Sequence, residues 1–435
     1  MKKSVWTESV KLPSFNALEG DVKTDVLIIG GGLCGILCAY FLKRAGIDYV
    51  LVEGSEFASG TTKNTTAKIT FQHGLLYQKI IKDYGMEFAQ MYLGANVKAF
   101  FVYEKLCKQI NCNFEYKDAY TYSLTDRLKT EEEVVALNKL GFNAQFAENT
   151  ELPFKISGAV RFKNQAQFNP LKFVSQIVKG LNVYENTFAR EYTPDGIITD
   201  RGKIRAEKII VATHFPFLNK HGSYFLKLYQ HRSYVSAFEN MCSLKGMYVD
   251  EDKKGMSFRS YGNLTLVGGG GHRTGKQGGC WKELDEFAKK YYPDAVLKYQ
   301  WAAQDCMSLD GIPYIGQYSK NTPNMYVATG FNKWGITSSM VAAMLLTDMV
   351  QGKTNDFAEV FSPQRNIINP QLFVNGFESA VNLITPTKRR CPHLGCALKW
   401  NKAEHSWDCP CHGSRFSEDG KLIDNPATGD ADIKK

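Results

Sequence analysis

The sequence predicts an α/β fold with a buried parallel sheet, and three features near the N-terminus predict this class. Residues 25–30 read Asp-Val-Leu-Ile-Ile-Gly, and four consecutive apolar residues are typical of a strand covered on both faces. Glycines with the G-x-G-x-x-G spacing follow this strand: Gly30, Gly32 and Gly35. An apolar-periodic run then predicts a helix, and a second strand over residues 49–52 ends at Glu53.

The glycine turn has the chemistry of a dinucleotide site. In this spacing the first glycine permits a tight turn, the second lets the backbone approach a pyrophosphate, and the third allows close helix–strand packing. The helix N-terminus presents free N–H groups to phosphates. Glu53 stands about 20 residues beyond the first glycine, where a carboxylate can bind ribose hydroxyl groups. An ordinary strand–turn–helix is the alternative, and the complete ordered set favours the dinucleotide site.

Length and composition limit the class of protein. A chain of 435 residues with 44% hydrophobic content can bury a large core, and we expect two or three domains. The net charge of +9 comes from interspersed acids and bases, so we expect no nucleic-acid partner. No run of about 18 apolar residues predicts a membrane span. The N-terminus has the pattern of neither a signal peptide nor a twin-arginine leader, so we expect a cytoplasmic protein.

The rest of the chain alternates between helical and strand-like patterns. A threonine-rich polar segment, residues 59–70, follows the second strand and is expected to be a functional loop. Apolar spacing predicts helices over residues 78–112 (one helix or a pair), 130–140, 338–350 and 371–383, and strands within 160–190 and over 196–199, 208–213, 234–238, 264–269 and 325–330. The β-rich composition of residues 224–272 suggests a separate sheet, inserted between the dinucleotide-binding elements.

Four segments, taken in order, resemble those of the glycine/D-amino-acid oxidase class of FAD-dependent oxidoreductases. They are Gly30-Gly-Gly32-Leu-Cys-Gly35 with Glu53, Lys208-Ile-Ile-Val-Ala-Thr213, Asp310-Gly-Ile-Pro313-Tyr-Ile-Gly316, and Ala328-Thr-Gly330-Phe with Gly335-Ile-Thr337. The resemblance covers roughly residues 20–355 and implies that the dinucleotide is FAD. It also implies a Rossmann-like FAD-binding domain with an inserted antiparallel-sheet domain for the substrate.

The same resemblance implies which residues hold FAD. Gly30, Gly32 and Gly35 would hold the pyrophosphate, Glu53 the adenosine ribose, and the backbone at Ala189 would lie by the adenine. The pyrophosphate and flavin ring would be lined by Thr65, Thr66, Ala67 and Lys68. The pyrimidine end of the flavin, where a helix dipole can stabilise the reduced anion, would be approached by Trp334, Gly335, Ile336 and Thr337. The other expected cofactor contacts are Ser59, Ala212, Thr213 and Gly330.

Two short segments near the C-terminus each contain a cysteine followed closely by a histidine. The first box reads Cys391-Pro-His393-Leu-Gly-Cys396, and the second reads Cys409-Pro-Cys411-His412-Gly-Ser414. Two thiolates and two imidazoles suit a tetrahedral zinc site. They equally suit a Rieske [2Fe–2S] centre, in which the thiolates hold one iron and the imidazoles the other. Each box carries an additional cysteine, which a zinc site would not need.

The two boxes closely resemble the Rieske patterns C-x-H-x-G-C and C-P-C-H-G-S. By this resemblance the metal ligands are Cys391, His393, Cys409 and His412, and Cys396 and Cys411 form a disulfide between the loops. Ser414 would stand where its hydroxyl can donate to a bridging sulfide. The resemblance thus implies a small C-terminal β-type lobe that binds a [2Fe–2S] cluster, although disulfides are unusual in the cytoplasm.

The C-terminal lobe departs from the Rieske pattern in two ways. High-potential Rieske proteins usually carry tyrosine two residues after the serine, whereas this chain has Phe416, which cannot donate a hydrogen bond. We therefore expect a reduction potential below the top of the Rieske range. Only residues 384–390 separate the predicted helix from the first box. We therefore infer that the lobe packs against the rest of the chain and does not fold alone.

These expectations define domain boundaries. The expected FAD-binding domain comprises residues 1–95, 155–215 and 305–355, and the substrate domain comprises residues 96–154 and 216–304. Residues 356–385 would form a linker with a helix, and residues 386–435 the Rieske lobe.

The leading functional hypothesis is an enzyme, a flavin-dependent amine or amino-acid dehydrogenase or oxidase whose electrons pass between FAD and the cluster. A one-electron cluster beside a two-electron flavin would act as a converter. The expected partners are a small amine or amino acid and an unidentified redox partner. The polar residues expected near the flavin, as catalytic candidates, are Lys68, His73, Arg259, His272 and Arg273. The alternative is a non-catalytic electron carrier or redox sensor.

Overall fold

The computed structural model describes residues 3–218, 221–252, 255–366 and 368–433. Its helices are α1 (Leu33–Arg44), α2 (Thr61–Asn64), α3 (Tyr77–Tyr84), α4 (Met86–Cys107), α5 (Arg127–Lys139), α6 (Pro170–Ile177), α7 (Tyr224–Lys227), α8 (Cys280–Tyr291), α9 (Gly335–Val350), α10 (Ala358–Phe361) and α11 (Pro370–Ile384). Its strands are β1 (Val22–Ile29), β2 (Tyr49–Val52), β3 (Lys68–Ile69), β4 (Glu115–Ser123), β5 (Gln145–Ala147), β6 (Gly158–Gln167), β7 (Val183–Tyr184), β8 (Ala189–Thr193), β9 (Gly196–Thr199), β10 (Lys203–Val211), β11 (Leu228–Glu239), β12 (Met247–Asp250), β13 (Ser257–Tyr261), β14 (Leu264–Arg273), β15 (Val296–Ser308), β16 (Tyr314–Gln317), β17 (Met325–Thr329), β18 (Lys399–Asn401), β19 (Ser406–Asp408), β20 (Arg415–Phe416) and β21 (Leu422–Asp424).

The first sheet contains the predicted dinucleotide-binding strands in the order β16-β17-β10-β1-β2-β7. All neighbours from β17 to β7 pair in parallel, which confirms the predicted parallel sheet. β16 and the β8–β9 hairpin join it through antiparallel pairs. Leu27 and Ile28 of β1 point to opposite faces, and both are buried because the sheet is covered on both sides. The carboxyl ends of β1, β2, β10 and β17 meet at one edge, where such sheets bind ligands.

The second sheet has the order β15-β11-β14-β13-β12-β4-β6-β3, with β5 paired to β6. Its pairs are antiparallel except for β12 with β4, so the predicted antiparallel sheet includes one parallel pair. β3 and β6 belong to this sheet although the predicted boundaries assign their residues to the FAD-binding domain. The chain therefore crosses between the two sheets several times, and the predicted boundaries stay a prediction.

The helices largely follow the predicted pattern. Residues 78–112 contain the pair α3 and α4, which separate at Gly85 because this residue has a φ of +92°. Among the helices in the described ranges, none combines the length and the apolar character that crossing a bilayer requires.

One expectation for residues 160–190 is wrong, because α6 interrupts the predicted run of strands. Asn169 caps this helix, and its side chain accepts hydrogen bonds from the N–H groups of Leu171 and Lys172. Pro170 occupies the first turn, where its fixed φ and missing N–H favour a helix start. The Asn169-Pro170 pair is a local signal for the start of a helix, and it outweighs the preference of the following β-branched residues for a strand.

The C-terminal lobe is a small antiparallel sheet in the order β18-β19-β20-β21, which confirms the predicted β-type lobe. Between α11 and the first cysteine box, the described chain forms one isolated bridge, from Arg390 to Ala397. α11 packs against α7, which belongs to the connection that leads into β11. The helix that leads into the lobe therefore packs on the rest of the chain, and the inability of the lobe to fold alone stays a prediction.

Candidate active site and metal centre

The turn after β1 requires glycine at two positions. Gly30 has a φ of +110°, and a Cβ there would lie 2.6 Å from the carbonyl oxygen of Ala212. A Cβ on Gly35 would lie 1.9 Å from the carbonyl oxygen of Gly30, so α1 can pack this closely only with glycine. The turn thereby brings the free N–H groups at the N-terminus of α1 to the edge of the sheet, where they can bind a phosphate.

Glu53 organises the end of β2. Its Oε2 accepts a hydrogen bond from the N–H of Gly31 at 2.7 Å, and its Oε1 accepts one from the N–H of Ser55 at 2.9 Å. Thr62 adds a contact that sequence reasoning missed, because its Oγ1 accepts from the N–H of Leu33 at 2.9 Å in the first turn of α1. The threonine-rich loop was the available signal, but local spacing does not reveal which threonine reaches the helix.

A cavity of about 1340 Å³ lies at this edge of the first sheet. It exceeds the roughly 300–1,000 Å³ of ordinary small-ligand pockets, so a dinucleotide and a substrate can share it. Its wall includes most of the residues predicted to hold FAD: Gly30, Gly32, Glu53, Ser59, Thr65, Thr66, Lys68, Ala189, Ala212, Thr213, Trp334, Gly335 and Ile336. Within the described ranges, four further residues predicted to hold FAD do not form part of the wall: Gly35, Ala67, Gly330 and Thr337. The glycine turn, the carboxylate of Glu53 and the cavity volume fit FAD.

Lys68 and Arg259 meet at the same short stretch of backbone. Lys68 lines the cavity, and its Nζ donates to Oγ1 of Thr66 at 3.1 Å. Arg259 is buried behind this segment, and its Nη1 donates to the carbonyl oxygens of Thr66 at 2.6 Å and Ala67 at 2.8 Å. Ala67 has a φ of +57°, so Arg259 stabilises a left-handed turn. Burial, and then the charge of Arg259, lowers the pKa of Lys68 to about 7.

His73 borders the cavity, but both of its ring nitrogens have partners. Nδ1 lies 2.7 Å from the hydroxyl of Tyr92, and Nε2 lies 3.0 Å from the carbonyl oxygen of Thr70 and 3.1 Å from Oγ1 of Thr337. The ring stacks on Trp334 with centroids 5.0 Å apart. Burial lowers the pKa of His73 to about 3, so the ring is neutral at physiological pH. This geometry favours a role in positioning Trp334 over a role in proton transfer.

His272 and Arg273 lie where the second sheet meets the C-terminal lobe. Arg273 donates to the carbonyl oxygens of Pro410 at 3.2 Å and Cys411 at 3.3 Å, and to Oδ1 of Asn375 at 2.9 Å. Nδ1 of His272 lies 2.9 Å from the carbonyl oxygen of Arg273. Within the described ranges neither side chain forms part of the cavity wall, and the same holds for Arg259. Arg273 therefore holds the lobe in place rather than facing the cavity.

The two cysteine boxes adopt the same loop geometry. In each, the N–H of the first cysteine donates to the carbonyl oxygen five residues later, and the N–H four residues later donates back to that cysteine. These bonds of 2.8–2.9 Å link Cys391 with Cys396 and Gly395, and Cys409 with Ser414 and Gly413. The glycine at the fifth position of each box has a positive φ, +79° for Gly395 and +86° for Gly413. Each box thus forms a tight turn that exposes its ligand atoms to the facing loop.

The predicted metal ligands face one another in pairs. Cys391 and Cys409 are buried neighbours, and the neighbouring Cys409 thiol, followed by burial, raises the pKa of Cys391. The Nδ1 atoms of His393 and His412 are 3.2 Å apart. Two nitrogen ligands at roughly 2.0–2.1 Å from one tetrahedral metal ion lie about 3.3 Å from each other. Burial lowers the pKa of His393 to about 4 and of His412 to about 3, so both rings are neutral and can bind metal. This donor set fits a Rieske cluster.

Cys396 and Cys411 form a disulfide, which confirms the predicted pairing of the two loops. The sulfur atoms of Cys396, Cys409 and Cys411 lie within 4.8 Å of one another, which is also a ligand-like spacing. Two of these sulfurs are bonded to each other and offer no thiolate. This group therefore adds no second metal site, and the disulfide instead ties the two ligand loops together.

The phenylalanine in place of the usual tyrosine yields a testable prediction. Phe416 is fully buried and packs in the same apolar cluster as Cys391 and Cys409. We expect Phe416→Tyr to raise the reduction potential of the cluster by roughly tens of millivolts, because a hydroxyl donor near a ligand sulfur stabilises the reduced state. A redox titration followed by EPR measures this shift. Phe416→Leu, which adds no donor, is the control, and an unchanged potential in the tyrosine variant contradicts the explanation.

Amide side chains fasten the C-terminal lobe to the segment after β10 of the first sheet and to β11 of the second sheet. Nδ2 of Asn425 donates to the carbonyl oxygens of Thr213 at 2.6 Å and Phe215 at 2.7 Å, directly after β10. Nε2 of Gln230 donates to the carbonyl oxygens of His412 at 3.2 Å and Asn425 at 3.1 Å. Since Thr213 lines the cavity and His412 is a predicted ligand, the cavity wall and the metal centre are parts of one packed unit.

The lobe also contributes to the cavity wall itself. Its lining residues are Glu404, Arg415, Leu422, Ile423, Asp424, Asn425, Ala427, Thr428, Gly429 and Asp430. A second connection runs through Gln304 of β15, whose carbonyl oxygen accepts from Oγ1 of Thr61 at 3.2 Å on the cavity side. Nε2 of Gln304 donates to the carbonyl oxygen of Gly413, next to His412, at 2.9 Å. Sequence reasoning missed these contacts because nothing local signals them.

A buried ion network completes the contact between the lobe and the second sheet. Oε1 of Glu404 accepts from Nε of Arg232 and from the hydroxyl of Tyr234, each at 3.0 Å. Oε2 of Glu404 accepts from Nη2 of Arg415 at 2.9 Å, and Arg415 also donates to Oδ1 of Asp408 at 3.0 Å. The side chains of Arg232, Glu404 and Arg415 are no more than 10% exposed. One carboxylate thus bridges two guanidinium groups from different domains.

Comparison with known families agrees with both parts of this site. Residues 25–349 match the FAD dependent oxidoreductase family (DAO), and residues 358–434 match the Rieske [2Fe-2S] domain. The chain is 35% identical to the "Putative Rieske 2Fe-2S iron-sulfur protein YhfW" of Bacillus subtilis, over 97% of this chain and 95% of that protein.

Another relative and a solved structure each match about four-fifths of the chain. The gamma-glutamylputrescine oxidoreductase of Escherichia coli is 22% identical, over 80% of this chain and 88% of that protein. The crystal structure of L-proline dehydrogenase from P. horikoshii superimposes with a TM-score of 0.66 at 15% identity, covering 80% of this chain and 98% of that chain. The structural likeness supports the two-sheet fold of residues 25–349.

Proposed function

Because the chain belongs to the family of FAD-dependent oxidoreductases and carries a Rieske [2Fe–2S] domain, we propose that it is an amine or amino-acid dehydrogenase or oxidase in which electrons pass between FAD and the cluster. When bound, FAD accepts a hydride equivalent from a C–H bond beside an amine, and the cluster exchanges single electrons. The acceptor beyond the cluster would be a separate redox partner.

The observation that carries this proposal is the construction of the cavity wall from both domains. Asn425 of the lobe bonds to Thr213 at the wall, and Gln304 bonds to Thr61 on the cavity side and to Gly413 beside a predicted ligand. These amide bridges hold the metal centre in a fixed place relative to the cavity. A lobe that served only as a separate carrier would have no need for such contacts.

The proposed substrate class comes from two relatives and from the cavity. One relative is named for gamma-glutamylputrescine, an amine, and one similar structure for L-proline, an amino acid. Lys68 stands at the cavity wall with a pKa lowered to about 7 by burial and by Arg259. A neutral lysine can take a proton from a substrate ammonium group at neutral pH, and so leave the amine lone pair free for oxidation.

An anaerobic titration of the full-length protein tests the proposal. A panel of amines and amino acids is added while the flavin absorbance and the EPR signal of the reduced cluster are recorded. We expect one substrate class to bleach the flavin and to produce the cluster signal. The Cys409→Ser variant, which loses a predicted ligand, should still bleach but give no signal. Reduction only by NAD(P)H or a protein donor would instead favour the electron carrier.

The lowered pKa of Lys68 predicts a pH dependence. We expect the rate of flavin reduction by substrate to rise as pH increases through about 7, because the neutral amine is the form that accepts a proton. Lys68→Met should be about a hundredfold slower and should lose this dependence. Anaerobic stopped-flow rates, normalised to bound flavin, measure both effects. Lys63→Met, a change in the same cavity wall, is the matched control, and an identical profile for the Lys68 variant contradicts the role.

A further inference from the structure

Helix α11 has its polar and apolar faces reversed relative to an ordinary surface helix. Asn375 and Asn382 are its buried residues, with exposed fractions of 1% and 4%. Phe373, Phe377 and Ile384 point outward and are 70%, 69% and 81% exposed. A helix that only covers a core would place these residues the other way round.

The buried asparagines have specific partners, so the reversal belongs to the packed structure. Nδ2 of Asn375 donates to the carbonyl oxygen of Leu226 at 3.1 Å, and its Oδ1 accepts from Nη1 of Arg273 at 2.9 Å. Nδ2 of Asn382 donates to the carbonyl oxygen of Glu378 at 2.8 Å. The bond of Asn382 lies within α11, whereas the two bonds of Asn375 join α11 to β14 and α7. The Asn375 bonds fix the rotation of α11 about its axis, and turning the phenylalanines inward would break them.

The exposed apolar side chains form one stripe along the helix. Phe373, Phe377, Val381 and Ile384 recur at spacings of three and four residues, which places them on one face over roughly 16 Å. The two phenylalanines alone expose about 300 Å². Single exposed apolar residues are common, but a contiguous apolar surface of a few hundred Å² is often functional.

Positive charge lies at the C-terminal end of this stripe. Lys388 and Arg389 follow α11 and are exposed, although the guanidinium of Arg389 also donates to the carbonyl oxygen of Ile433 at 3.3 Å and lies 4.7 Å from the ring centroid of Trp407. Glu378 is the one acidic residue in the sequence from 368 to 390, and it pairs with Nζ of Lys276 at 2.8 Å. The stripe therefore combines aromatic and aliphatic side chains with cations that have no competing carboxylate in the same segment. Exposed apolar side chains beside exposed cations suit the interface of an anionic bilayer, although the cations here follow α11 and are not part of the helix itself.

We propose that the outer face of α11 is a docking surface for an anionic lipid bilayer. Phe373, Phe377 and Ile384 enter the boundary between headgroups and acyl chains, while Lys388 and Arg389 contact anionic headgroups. A second copy of the chain is the competing occupant of this face. Pairing two such faces would supply no carboxylates for either pair of cations, whereas an anionic bilayer supplies the complementary charge.

Docking in this way would also set the position of the metal centre. Nη1 of Arg390 donates to the carbonyl oxygen of Leu383 at 2.9 Å, at the end of α11, and to that of Gly395 at 2.8 Å. Gly395 belongs to the first ligand loop, where Leu394 is 40% exposed. The guanidinium thus ties the end of the helix to the loop that carries His393. A bilayer bound at α11 would therefore hold this loop near the lipid surface.

Vesicle co-sedimentation of the full-length holoprotein tests the proposal. We expect binding to phosphatidylcholine vesicles that contain phosphatidylglycerol, and at least about tenfold weaker binding to phosphatidylcholine alone. The double variant Phe373→Ser/Phe377→Ser should bind the anionic vesicles at least about tenfold more weakly. Phe101→Ser is the matched control, because Phe101 is 57% exposed on α4, and its binding should be unchanged.

Two further measurements keep the proposal falsifiable. Lys388→Glu/Arg389→Glu should abolish the preference for anionic vesicles, and added salt should weaken wild-type binding. Flavin and cluster absorbance must match the wild type in every variant, which shows that the variants are folded. Wild-type protein that does not sediment with anionic vesicles overturns the proposal. A dimer in analytical ultracentrifugation that the double phenylalanine variant converts to monomers overturns it in favour of a second copy.

Discussion

Replacing Gly35 by alanine is expected to remove most of the FAD from the purified protein. The added Cβ would lie 1.9 Å from the carbonyl oxygen of Gly30, and ordinary contact requires more than 3 Å, so α1 must move away from the turn by over an ångström. Because the opposing atom belongs to the backbone, no side-chain rotation can relieve the clash. Overpacking of this kind costs about 3 kcal/mol. The displaced helix also no longer aims its N–H groups at the pyrophosphate.

Flavin absorbance per protein and the midpoint of urea unfolding measure this effect. Gly376→Ala is the matched control, because Gly376 lies within α11 and a Cβ there would meet no atom within 4 Å. Helix propensity predicts that the control variant gains up to about 1 kcal/mol of stability and keeps its flavin. A Gly35→Ala protein with wild-type flavin content and urea midpoint would show that close packing of α1 on the turn is not required.

The local parts of the site were predictable because their signals lie within short segments. The strand, the glycine turn and Glu53 fall within about 30 residues, and periodicity and φ requirements decide their structure. The two cysteine boxes are equally local, since the glycine at the fifth position of each box is needed for the turn. For these segments the sequence pattern and the folded geometry carry the same information.

Side-chain roles that depend on distant partners were not predictable. Arg259 was predicted to lie near the flavin, but its bonds to the carbonyl oxygens of Thr66 and Ala67, which are 193 and 192 positions away in the chain, were not predicted. Asp310 was recognised as part of a motif, but its pairing with Arg365 was not predicted. Oδ1 and Oδ2 of this residue accept from Nη2 and Nε of Arg365 at 2.9 Å and 2.7 Å. Only the fold brings such pairs together.

The sequence pattern also did not predict which face of a helix is buried. The pattern of residues 371–383 predicts a helix, and burial of its phenylalanines is the ordinary expectation for such a pattern. The structure buries Asn375 instead, because Arg273 and the carbonyl oxygen of Leu226 offer it hydrogen bonds. Neither partner is near α11 in the sequence, so the periodic pattern alone cannot decide which face turns inward.

Removing the negative charge of Glu404 is expected to have the largest effect on the contact between the lobe and the second sheet. Glu404→Gln keeps the size of the side chain but leaves Arg232, which is 4% exposed, without its carboxylate. Breaking a buried ion pair by neutralising one partner costs about 3–5 kcal/mol. We expect the urea midpoint of the visible cluster absorbance to fall, and limited proteolysis to release the C-terminal lobe.

A control variant separates this effect from a general loss of surface charge. Glu418 lies in the same lobe and is 59% exposed, and its carboxylate pairs with Nδ1 of His405 at 2.8 Å. Exposed pairs contribute little, so Glu418→Gln should change stability by less than about 0.5 kcal/mol. A Glu404→Gln protein that resists urea and proteolysis as well as this control would show that the buried network does not hold the lobe.

The pKa of Glu404 adds a test that distinguishes charge from shape. Burial raises this pKa, but the guanidinium groups of Arg232 and Arg415 outweigh burial and lower it to about 2. The unfolded carboxyl titrates near its ordinary value of about 4.3, so its stabilising contribution is complete above that pH and is lost as pH falls towards 2. The stability difference between wild type and Glu404→Gln should therefore be constant near neutral pH and shrink below about pH 4.3. Acid lability of the cluster affects both proteins and cancels in this difference. A difference that persists unchanged in acid would mean that the shape of the side chain, rather than its charge, fastens the lobe.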